Sequence, residues 1–267
     1  MGERKRYKPK TAGKKPGQEE LIVGRQAVRG ALLHDKPQSI LLAADSHGPI
    51  ISEIIVLARD RQVPLEILNS GTFREQAGYI PGNQGAAALV SPYSYEDLDR
   101  LITSSLRKNS SPMLLMLDHL EDPQNLGAIV RTADAAGAQG LIIPTDRASG
   151  VTAAVRKVAA GAAERISLAR TTNLNRAAET LKQSGFWLYG AEADGDLPFY
   201  LADYRRPLVL VIGSEGKGLS RLLRQKCDQI LSIPMPGGEA GGSLNVAAAA
   251  AILIYASLGQ REGWYLK

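Results

Sequence analysis

The spacing of apolar positions predicts regular structure from about residue 19 to residue 91. Apolar residues recur every three to four positions over residues 24–33 and 49–61, which predicts two amphipathic helices. Short apolar runs predict strands over residues 39–43, 63–68 and 85–90. The pattern therefore indicates a compact αβα unit that ends near residue 91.

From residue 112 onward, apolar strands alternate with amphipathic helices. The sequence predicts strands over residues 113–117, 140–143, 166–168, 186–190, 208–212 and 229–233. Helices are predicted between and after them, over residues 123–136, 153–160, 174–183, 219–226 and 244–258. Because the strands are continuous apolar runs, we expect a parallel sheet covered on both faces, in an α/β fold. Ligands bind such sheets outside the carboxyl ends of the strands.

Charge divides the chain into a basic tail and a nearly neutral body. The 267 residues include 32 Lys+Arg and 27 Asp+Glu, a net charge of +5. Residues 1–18 hold seven basic residues and one acid, a balance of +6, which leaves −1 for the rest. We predict that residues 1–18 are disordered. Such a tail serves either solubility or the capture of a polyanion through released counterions.

The predicted domains follow from these patterns. Residues 19–91 form a first domain and residues 112–267 a second. Between them, residues 92–111 form a linker helix, over 95–108, and a break.

Composition excludes several protein classes. The chain is 44% hydrophobic and 22% charged, as is typical of globular proteins. The single cysteine, Cys227, excludes an internal disulfide and a cysteine-based zinc site. The three histidines are scattered along the chain, so we expect no metal. There is no secretory signal pattern, and the apolar run at 246–258 is shorter than the ~20 residues of a spanning helix, so we expect a cytoplasmic protein.

The first candidate loop follows the strand at 113–117. Asp122 is expected to cap a helix, and Arg131 to pair with Asp134 one turn away. Neither role explains the two amides Gln124 and Asn125 in the first turn. Gln124 and Arg131 are seven residues apart, so they share one face of the helix.

The second candidate loop, residues 211–220, joins a strand to a helix through three glycines. A P-loop requires a lysine after its last glycine, but Gly218 is followed by leucine. A dinucleotide fingerprint requires a third glycine where the chain has Arg221. Glu215, at the centre of the loop, would repel a phosphate. The loop therefore suits a cationic or uncharged part of a ligand.

The third candidate loop, residues 233–246, follows the last predicted strand. An apolar start is followed by a glycine-rich stretch and by Ser243, which is expected to cap the alanine-rich helix behind it. The small residues at 247–251 allow close packing against another helix or a partner subunit.

Taken together and in this order, the three loops resemble the signature motifs of the SpoU (TrmH) family of RNA ribose 2′-O-methyltransferases, in the SPOUT superfamily. The matching stretches are Asp122-Pro123-Gln124-Asn125-Leu126-Gly127 with Arg131, Gly213-Ser214-Glu215-Gly216-Lys217-Gly218-Leu219, and Ile233-Pro234-Met235 with Ser243-Leu244-Asn245-Val246. Residues 157–164 and 172–174 also resemble the bacterial RlmB-type branch, which methylates a guanosine of 23S rRNA. Residues 21–91 resemble that branch's substrate-binding domain, which is similar to ribosomal protein L30e.

The resemblance implies a fold, a cofactor and partners. It implies a SPOUT-type parallel sheet with a deep trefoil knot over residues 112–267, preceded by an L30e-like αβα domain that binds the RNA substrate. It also implies a homodimer, S-adenosyl-L-methionine (S-adenosylmethionine) as the methyl donor and RNA, large-subunit rRNA in the RlmB-type branch, as the acceptor.

The resemblance also assigns residues. Those implied for cofactor binding are Gly213, Glu215, Gly218, Ile233, Pro234, Met235, Ser243 and Leu244. Those implied for catalysis are Arg131, Asn125, Glu215, Ser243 and Asn245. The family assigns Arg131 to activation of the hydroxyl, but arginine is nearly always protonated. Our hypothesis is that Arg131 works with an RNA phosphate and stabilises charge on the ribose oxygen, while the other polar residues hold it in place.

Two stretches depart from the family pattern, and three other functions stay open. The loop at 236–242 is longer and richer in glycine than usual, and Asn83-Gln84-Gly85 stands where relatives commonly have His-Gln-Gly. The alternatives are a tRNA methylase, an rRNA methylase that confers thiopeptide resistance, and a non-catalytic RNA-binding protein. The L30e-like domain disfavours the tRNA enzyme, and the intact set of polar motif residues argues against a non-catalytic protein.

Overall fold

The structure, a computed structural model, describes residues 19–78, 84–237 and 244–264. The predicted tail at 1–18 lies outside these residues. The chain divides into two compact units, Met1–Tyr93 and Ser94–Lys267. No helix in the described ranges has both the length and the apolar character that a membrane crossing requires.

The first unit is a four-stranded sheet with three helices. Its elements are β1 (Glu20–Val23), α1 (Arg25–His34), β2 (Ser39–Ala43), α2 (Pro49–Asp60), β3 (Leu65–Leu68), α3 (Ser70–Ala77) and β4 (Ala86–Val90). The strand order is β1-β4-β2-β3, in which β4 runs antiparallel to both of its neighbours. The predicted αβα pattern lacked β1 and α3. Helix α3 is largely polar and depends on Asn69, whose side chain accepts the backbone N–H of Thr72.

The second unit is built on a seven-stranded sheet. Its elements are α4 (Leu98–Lys108), β5 (Met113–Leu117), α5 (Pro123–Ala135), β6 (Gly140–Pro144), α6 (Ala153–Ala159), β7 (Ser167–Thr171), α7 (Leu174–Gln183), β8 (Trp187–Ala191), β9 (Leu197–Pro198), a 3-10 turn (Phe199–Leu201), β10 (Leu208–Ile212), α8 (Arg221–Lys226), β11 (Gln229–Ser232) and α9 (Val246–Arg261). The strand order is β7-β6-β5-β10-β8-β11-β9, and every neighbouring pair is parallel. The expected α/β fold with a parallel sheet is confirmed; the two-residue β9 was not predicted.

Helix α4 is part of the second unit, which corrects the expected linker at 92–111. Its residues Leu101 and Ile102 are 1% and 5% exposed and belong to the same apolar cluster as residues of β5 and β6. A Cβ added to Gly140 would lie 2.6 Å from a methyl carbon of Leu101, so α4 packs directly on β6. The boundary therefore falls before α4, because the apolar face of this helix needs the sheet to cover it.

The parallel sheet brings three distant loops to one edge. Strand β10 lies between β5 and β8, and β11 pairs with the other side of β8. Because all four strands are parallel, the loops after β5, β10 and β11 leave the sheet at the same end. Helix α9 then packs against α5. Residues 238–243, which join β11 to α9, lie outside the described residues, so the trefoil knot stays a prediction.

Arg261, at the end of α9, holds three segments of the second unit together. Its guanidinium donates hydrogen bonds to the backbone carbonyls of Tyr204, Ser111 and Arg206, at 2.8, 2.5 and 3.0 Å. Burial lowers the pKa of Arg261 to about 10, so the side chain stays charged at neutral pH.

Replacing Arg261 by methionine should leave three carbonyls without a donor. We expect a loss of about 3 kcal/mol in the free energy of unfolding, because each lost bond costs roughly 1 kcal/mol. For a unit of this size, that lowers the Tm by about 6–12 °C, which differential scanning calorimetry can measure. Arg107→Met, at an exposed position of α4, is the control and should leave the Tm unchanged. Equal melting of both variants would contradict the bracing role.

Candidate functional site at the carboxyl edge of the sheet

The first turn of α5 orients the amides of the first loop. Both carboxylate oxygens of Asp122 accept backbone N–H groups, from Gln124 at 3.1 Å and from Asn125 at 3.3 Å, which confirms the predicted cap. Asn125 is 6% exposed and points into the unit, whereas Gln124 and Arg131 are both exposed. The predicted shared face of Gln124 and Arg131 is confirmed.

The expected pair between Arg131 and Asp134 is wrong. Asp134 accepts a hydrogen bond from Nε of Arg165 at 3.0 Å. This contact binds α5 to the segment before β7, and among the described residues Arg131 forms no ion pair with that acid.

The glycine-rich loop after β10 folds back on itself. The N–H of Ser214 donates to the carbonyl of Gly218 at 3.1 Å, and the N–H of Gly218 donates to the carbonyl of Ser214 at 3.0 Å. A Cβ on Gly213 would lie 2.2 Å from the carbonyl carbon of Gly218. Gly213 is therefore required by the close approach of the loop to itself, which is a different reason from the expected approach to a cofactor.

Two carboxylates from other strands fix the end of this loop. Asp118, directly after β5, accepts the N–H of Ser220 at 2.6 Å. Glu192, directly after β8, accepts the N–H of Leu219 at 2.9 Å. The second oxygen of Glu192 accepts a hydrogen bond from Arg224, and this bond raises the pKa of the arginine. The loop that carries Glu215 is thus anchored to both neighbours of β10.

Gly213→Ala should prevent the glycine-rich loop from closing, because the added Cβ meets backbone rather than a movable side chain. We expect a large fall in Tm and loss of ligand binding at the loop. Gly216→Ala is the matched comparison: Gly216 has φ +77° but open space around a Cβ, so the change should cost only about 1 kcal/mol of backbone strain. Thermal unfolding of both variants measures the difference. Similar Tm values would contradict the packing argument.

Asn125, Glu215 and Asn245 form a hydrogen-bonded cluster, called here the amide–carboxylate junction. Oε1 of Glu215 accepts from Nδ2 of Asn125 at 3.0 Å and from Nδ2 of Asn245 at 2.9 Å. Nδ2 of Asn245 also donates to Oδ1 of Asn125 at 2.9 Å. The three residues come from the three candidate loops. The junction therefore joins, by side chains alone, segments that are up to 120 residues apart.

Asn245 also caps α9, which corrects the expected cap at Ser243. Its Oδ1 accepts the N–H groups of Ala247 and Ala248, at 3.0 and 3.3 Å. The helix therefore begins at Val246, two residues after the predicted start. Ser243 itself lies outside the described residues. One asparagine thus sets the helix start with its oxygen and the junction with its nitrogen.

The apolar residues predicted for cofactor binding line the same edge of the sheet. They follow β11 and precede α9: Ile233 and Met235 are half-buried, and Pro234 and Leu244 are exposed. Leu244 leaves 39% of its surface accessible, although it is large and apolar. Apolar groups at the end of a strand beside a polar junction suit a ligand that has a flat apolar part and a polar part.

Arg131 lies apart from the junction. It is six residues beyond Asn125 on α5, about 9 Å along the helix axis. Within the part of the chain that the structure describes, no hydrogen bond joins Arg131 to Asn125, Glu215 or Asn245. The expected hydrogen bonds from these residues to Arg131 are therefore not formed here, and its guanidinium is exposed.

A cavity of about 480 Å³ opens beside the junction, and its wall includes residues that the sequence did not single out. Asn125 and Glu215 line it, together with Asp118, His119, Arg147 and Lys217.

Asp118 and Glu192 both stand directly after apolar strands, and this position was the available signal that they lie at the ligand-binding edge of the sheet. Nothing in the local sequence indicated that they bind the glycine-rich loop.

The family model that matches this chain is described as "SpoU rRNA Methylase family", and it covers residues 112–255. A Bacillus subtilis protein whose name assigns it to the TrmH family of tRNA/rRNA methyltransferases, YacO, is 40% identical over 240 residues, 89% of this chain and 94% of that protein. An uncharacterized tRNA/rRNA methyltransferase of Synechocystis sp. is 49% identical over 186 residues, 70% of this chain. The aligned part spans 48% of the length of that cyanobacterial protein.

Solved structures share the fold. The SpoU methyltransferase AviRb from Streptomyces viridochromogenes, in complex with the cofactor AdoMet, has a TM-score of 0.74 and 26% identity over 92% of this chain and 91% of that one. The solved structure of a protein named RNA 2′-O ribose methyltransferase has a TM-score of 0.73 and 22% identity over 91% of this chain and 89% of that one, which supports the fold alone. The match of the family model to more than half of the chain, and of YacO to nearly its whole length, shows that this chain belongs to the SpoU (TrmH) family of methyltransferases.

Proposed function

We infer that this protein transfers a methyl group from S-adenosylmethionine to the 2′-hydroxyl of a ribose in RNA, and that its substrate is a guanosine of 23S rRNA. The observation that carries this inference is the amide–carboxylate junction. It brings the three family motifs together at the ligand-binding edge of the sheet, with side chains that orient a substrate and leave the sheet edge open.

The residues present fit S-adenosylmethionine. Ile233, Met235 and Leu244 supply apolar surface for an adenine ring, beside backbone groups of the loop after β11. Glu215 supplies a fixed carboxylate, which suits a positively charged sulfonium better than a phosphate. When bound, this cofactor supplies an electrophilic methyl group. The family neighbour AviRb was solved with AdoMet, which supports the same cofactor here.

The polar residues of this chain then have distinct tasks. Asn125 and Asn245 fix the carboxylate of Glu215 and so define the position of the nucleotide beside it. The exposed guanidinium of Arg131 binds an RNA phosphate and stabilises charge that develops on the ribose oxygen. Orientation of the hydroxyl toward the methyl group supplies a large part of the rate, since a displacement of about 1 Å can cost 100-fold.

The RNA target rests on the relatives and on the first unit. The relatives' names give tRNA or rRNA as substrate. The resemblance of residues 21–91 to an rRNA-binding domain favours rRNA, and the +6 charge of residues 1–18 suits a sequence-independent arm for phosphates. We further propose a cytoplasmic homodimer. The tRNA enzyme, the thiopeptide-resistance enzyme and the non-catalytic protein remain the competing proposals.

Two measurements separate these functions. Isothermal titration calorimetry with S-adenosylmethionine should give saturable binding, and its absence would favour the non-catalytic protein. Incubation with methyl-labelled cofactor and separate rRNA and tRNA pools should label the large-subunit rRNA. Label that enters only tRNA would contradict the ribosomal assignment.

A further inference from the structure

The proposed function requires that one base be selected, and the inference that follows rests on that proposed function. Ribose and phosphate are common to all four nucleotides, so a contact between Arg131 and either of them cannot select guanosine. Selection requires donors and acceptors that face the edges of the base. The cavity of about 480 Å³ beside the amide–carboxylate junction carries such groups.

The charges of the cavity wall argue against a phosphate as its occupant. The wall holds four carboxylates and two cationic side chains, on Asp118, Glu121, Asp122, Glu215, Arg147 and Lys217. A phosphate in the cavity would therefore face more negative than positive groups. An uncharged ring with both donors and acceptors on its edges suits this mixed wall better.

Three of the four carboxylates are already bound within the protein. Asp118 accepts hydrogen bonds at both of its oxygens, Asp122 caps α5, and Glu215 holds the junction. Among the residues that the structure describes, three charged groups of the wall make no hydrogen bond or ion pair: Glu121, Arg147 and Lys217. One carboxylate and two cations are therefore available to a ligand.

Glu121 and Arg147 stand on two loops that are bonded to each other. The N–H of Ser149 donates to the carbonyl of Leu120 at 2.7 Å, so the loop after β6 is fixed to the loop after β5 within two residues of both side chains. A second bond, 2.8 Å long, joins the loop after β6 to the hydroxyl of Tyr95. The backbone positions of the arginine and the carboxylate are thus held at a fixed spacing on one wall.

Guanine matches this pair of side chains. Its O6 and N7 are neighbouring acceptors, and arginine commonly donates to both at once. Its N1–H and N2 amino group are neighbouring donors, which the two oxygens of one carboxylate can accept. Adenine has an amino group in place of O6 and a bare nitrogen at N1, so it would present a donor to the arginine and an acceptor to the carboxylate.

We propose that this cavity binds the guanine base of the target nucleotide, with Arg147 donating to O6 and N7 and Glu121 accepting from N1–H and the N2 amino group. Asn125 and Glu215 line the same cavity, so a base bound there brings its nucleotide to the junction. Arg131 keeps its role at the ribose and the phosphate. Arg147 and Glu121 are specificity-determining residues, which select the base and leave the chemistry of the hydroxyl to others.

Replacement of single groups in the RNA tests both contacts. The substrate is the rRNA fragment that contains the nucleotide methylated by the wild-type protein, prepared with guanosine, inosine or 7-deazaguanosine at that position. Inosine lacks the N2 amino group, and 7-deazaguanosine lacks N7. We expect each analogue to lower the single-turnover rate of the wild type at subsaturating RNA by about 10-fold, because one hydrogen bond to a charged group is lost.

Two variants should each remove one of these penalties. Arg147→Asn suits the left-handed backbone at this position, φ +52°, but its side chain is too short to reach the base. It should methylate the guanosine RNA about 10–100-fold more slowly and no longer distinguish 7-deazaguanosine from guanosine. Glu121→Ala should no longer distinguish inosine from guanosine. Affinity for S-adenosylmethionine and Tm should stay at their wild-type values, and Arg107→Gln, at an exposed position of α4, should keep both penalties.

An NMR titration tests the cavity without methyl transfer. Guanosine 5′-monophosphate, added to the wild-type protein bound to S-adenosylhomocysteine, should shift the side-chain signals of Arg147, and adenosine 5′-monophosphate should not. Equal shifts with both mononucleotides, or none, would overturn the proposal. So would a wild type that ignores both analogues, or penalties that persist in the variants. Equal slowing of all three RNAs by Arg147→Asn would assign Arg147 to a phosphate instead.

The two levels of the account fail in different ways. A wild-type protein that methylates no RNA would contradict the proposed function, and the titration with mononucleotides would still decide whether the cavity selects guanine. Methylation of guanosine RNA with no response to the analogues would keep the proposed function and remove the base pocket.

Discussion

Asn245→Asp should reduce RNA methylation by about 100-fold or more while the protein stays folded. Aspartate keeps the oxygen that caps α9, and it is as good a cap as asparagine. It lacks the Nδ2 donor, however, and it places a second carboxylate where Asn245 now lies 2.9 Å from Oε1 of Glu215. The cap of α9 is therefore kept, whereas the hydrogen bonds that Asn245 donates in the amide–carboxylate junction are lost.

The initial rate at saturating cofactor and the Tm, measured side by side, separate the two roles of Asn245. Asn173→Asp is a matched control, because Asn173 caps α7 through the N–H of Arg176 and lies in none of the three motifs. It should leave both quantities near their wild-type values. Wild-type methylation by Asn245→Asp would show that the junction does not position the substrate.

Arg131→Ala should reduce methylation by about 10²–10³-fold, the usual effect of removing one donor that stabilises charge in a transition state. The affinity for S-adenosylmethionine should not change, because Arg131 is about 9 Å along α5 from Asn125. The Tm should also be unchanged, since the side chain is exposed. RNA affinity should fall modestly and lose part of its salt dependence, as expected for one lost phosphate contact.

The comparison that isolates Arg131 is Arg176→Ala, at an exposed arginine of α7. This substitution removes the same charge from the second unit at a position outside the three motifs. The methylation rate of the variant should match that of the wild type. Full methylation by Arg131→Ala with normal cofactor binding would remove Arg131 from the reaction.

The parts of the fold that the sequence predicts best are those with strong local signals. Strands β5 and β10 are unbroken apolar runs, and both were predicted at their observed bounds. The start of α5 follows from Asp122, whose cap is a local contact. By contrast, β1 and β9 have four and two residues and exist because of the strands they pair with. Local patterning cannot indicate such elements.

The candidate site shows the same division. The motif order marked Asn125, Glu215 and Asn245, but their mutual hydrogen bonds depend on β10 entering the sheet beside β5. The start of α9 was misplaced because Ser243 and Asn245 are both good caps, and contacts with distant residues select Asn245. The anchoring role of Asp118 could not be predicted, because the backbone N–H that its carboxylate accepts belongs to Ser220, 102 residues away.

The most direct test of the central claim is the chemical identity of the methylated nucleoside. Large-subunit rRNA that lacks the modification is incubated with the wild-type protein and methyl-labelled S-adenosylmethionine, digested to nucleosides and analysed by mass spectrometry. We predict one labelled product, a 2′-O-methylated guanosine, which is nearly lost with Asn245→Asp. Label on a base, or equal yields from the wild type and Asn245→Asp, would contradict a ribose methyltransferase organised by the amide–carboxylate junction.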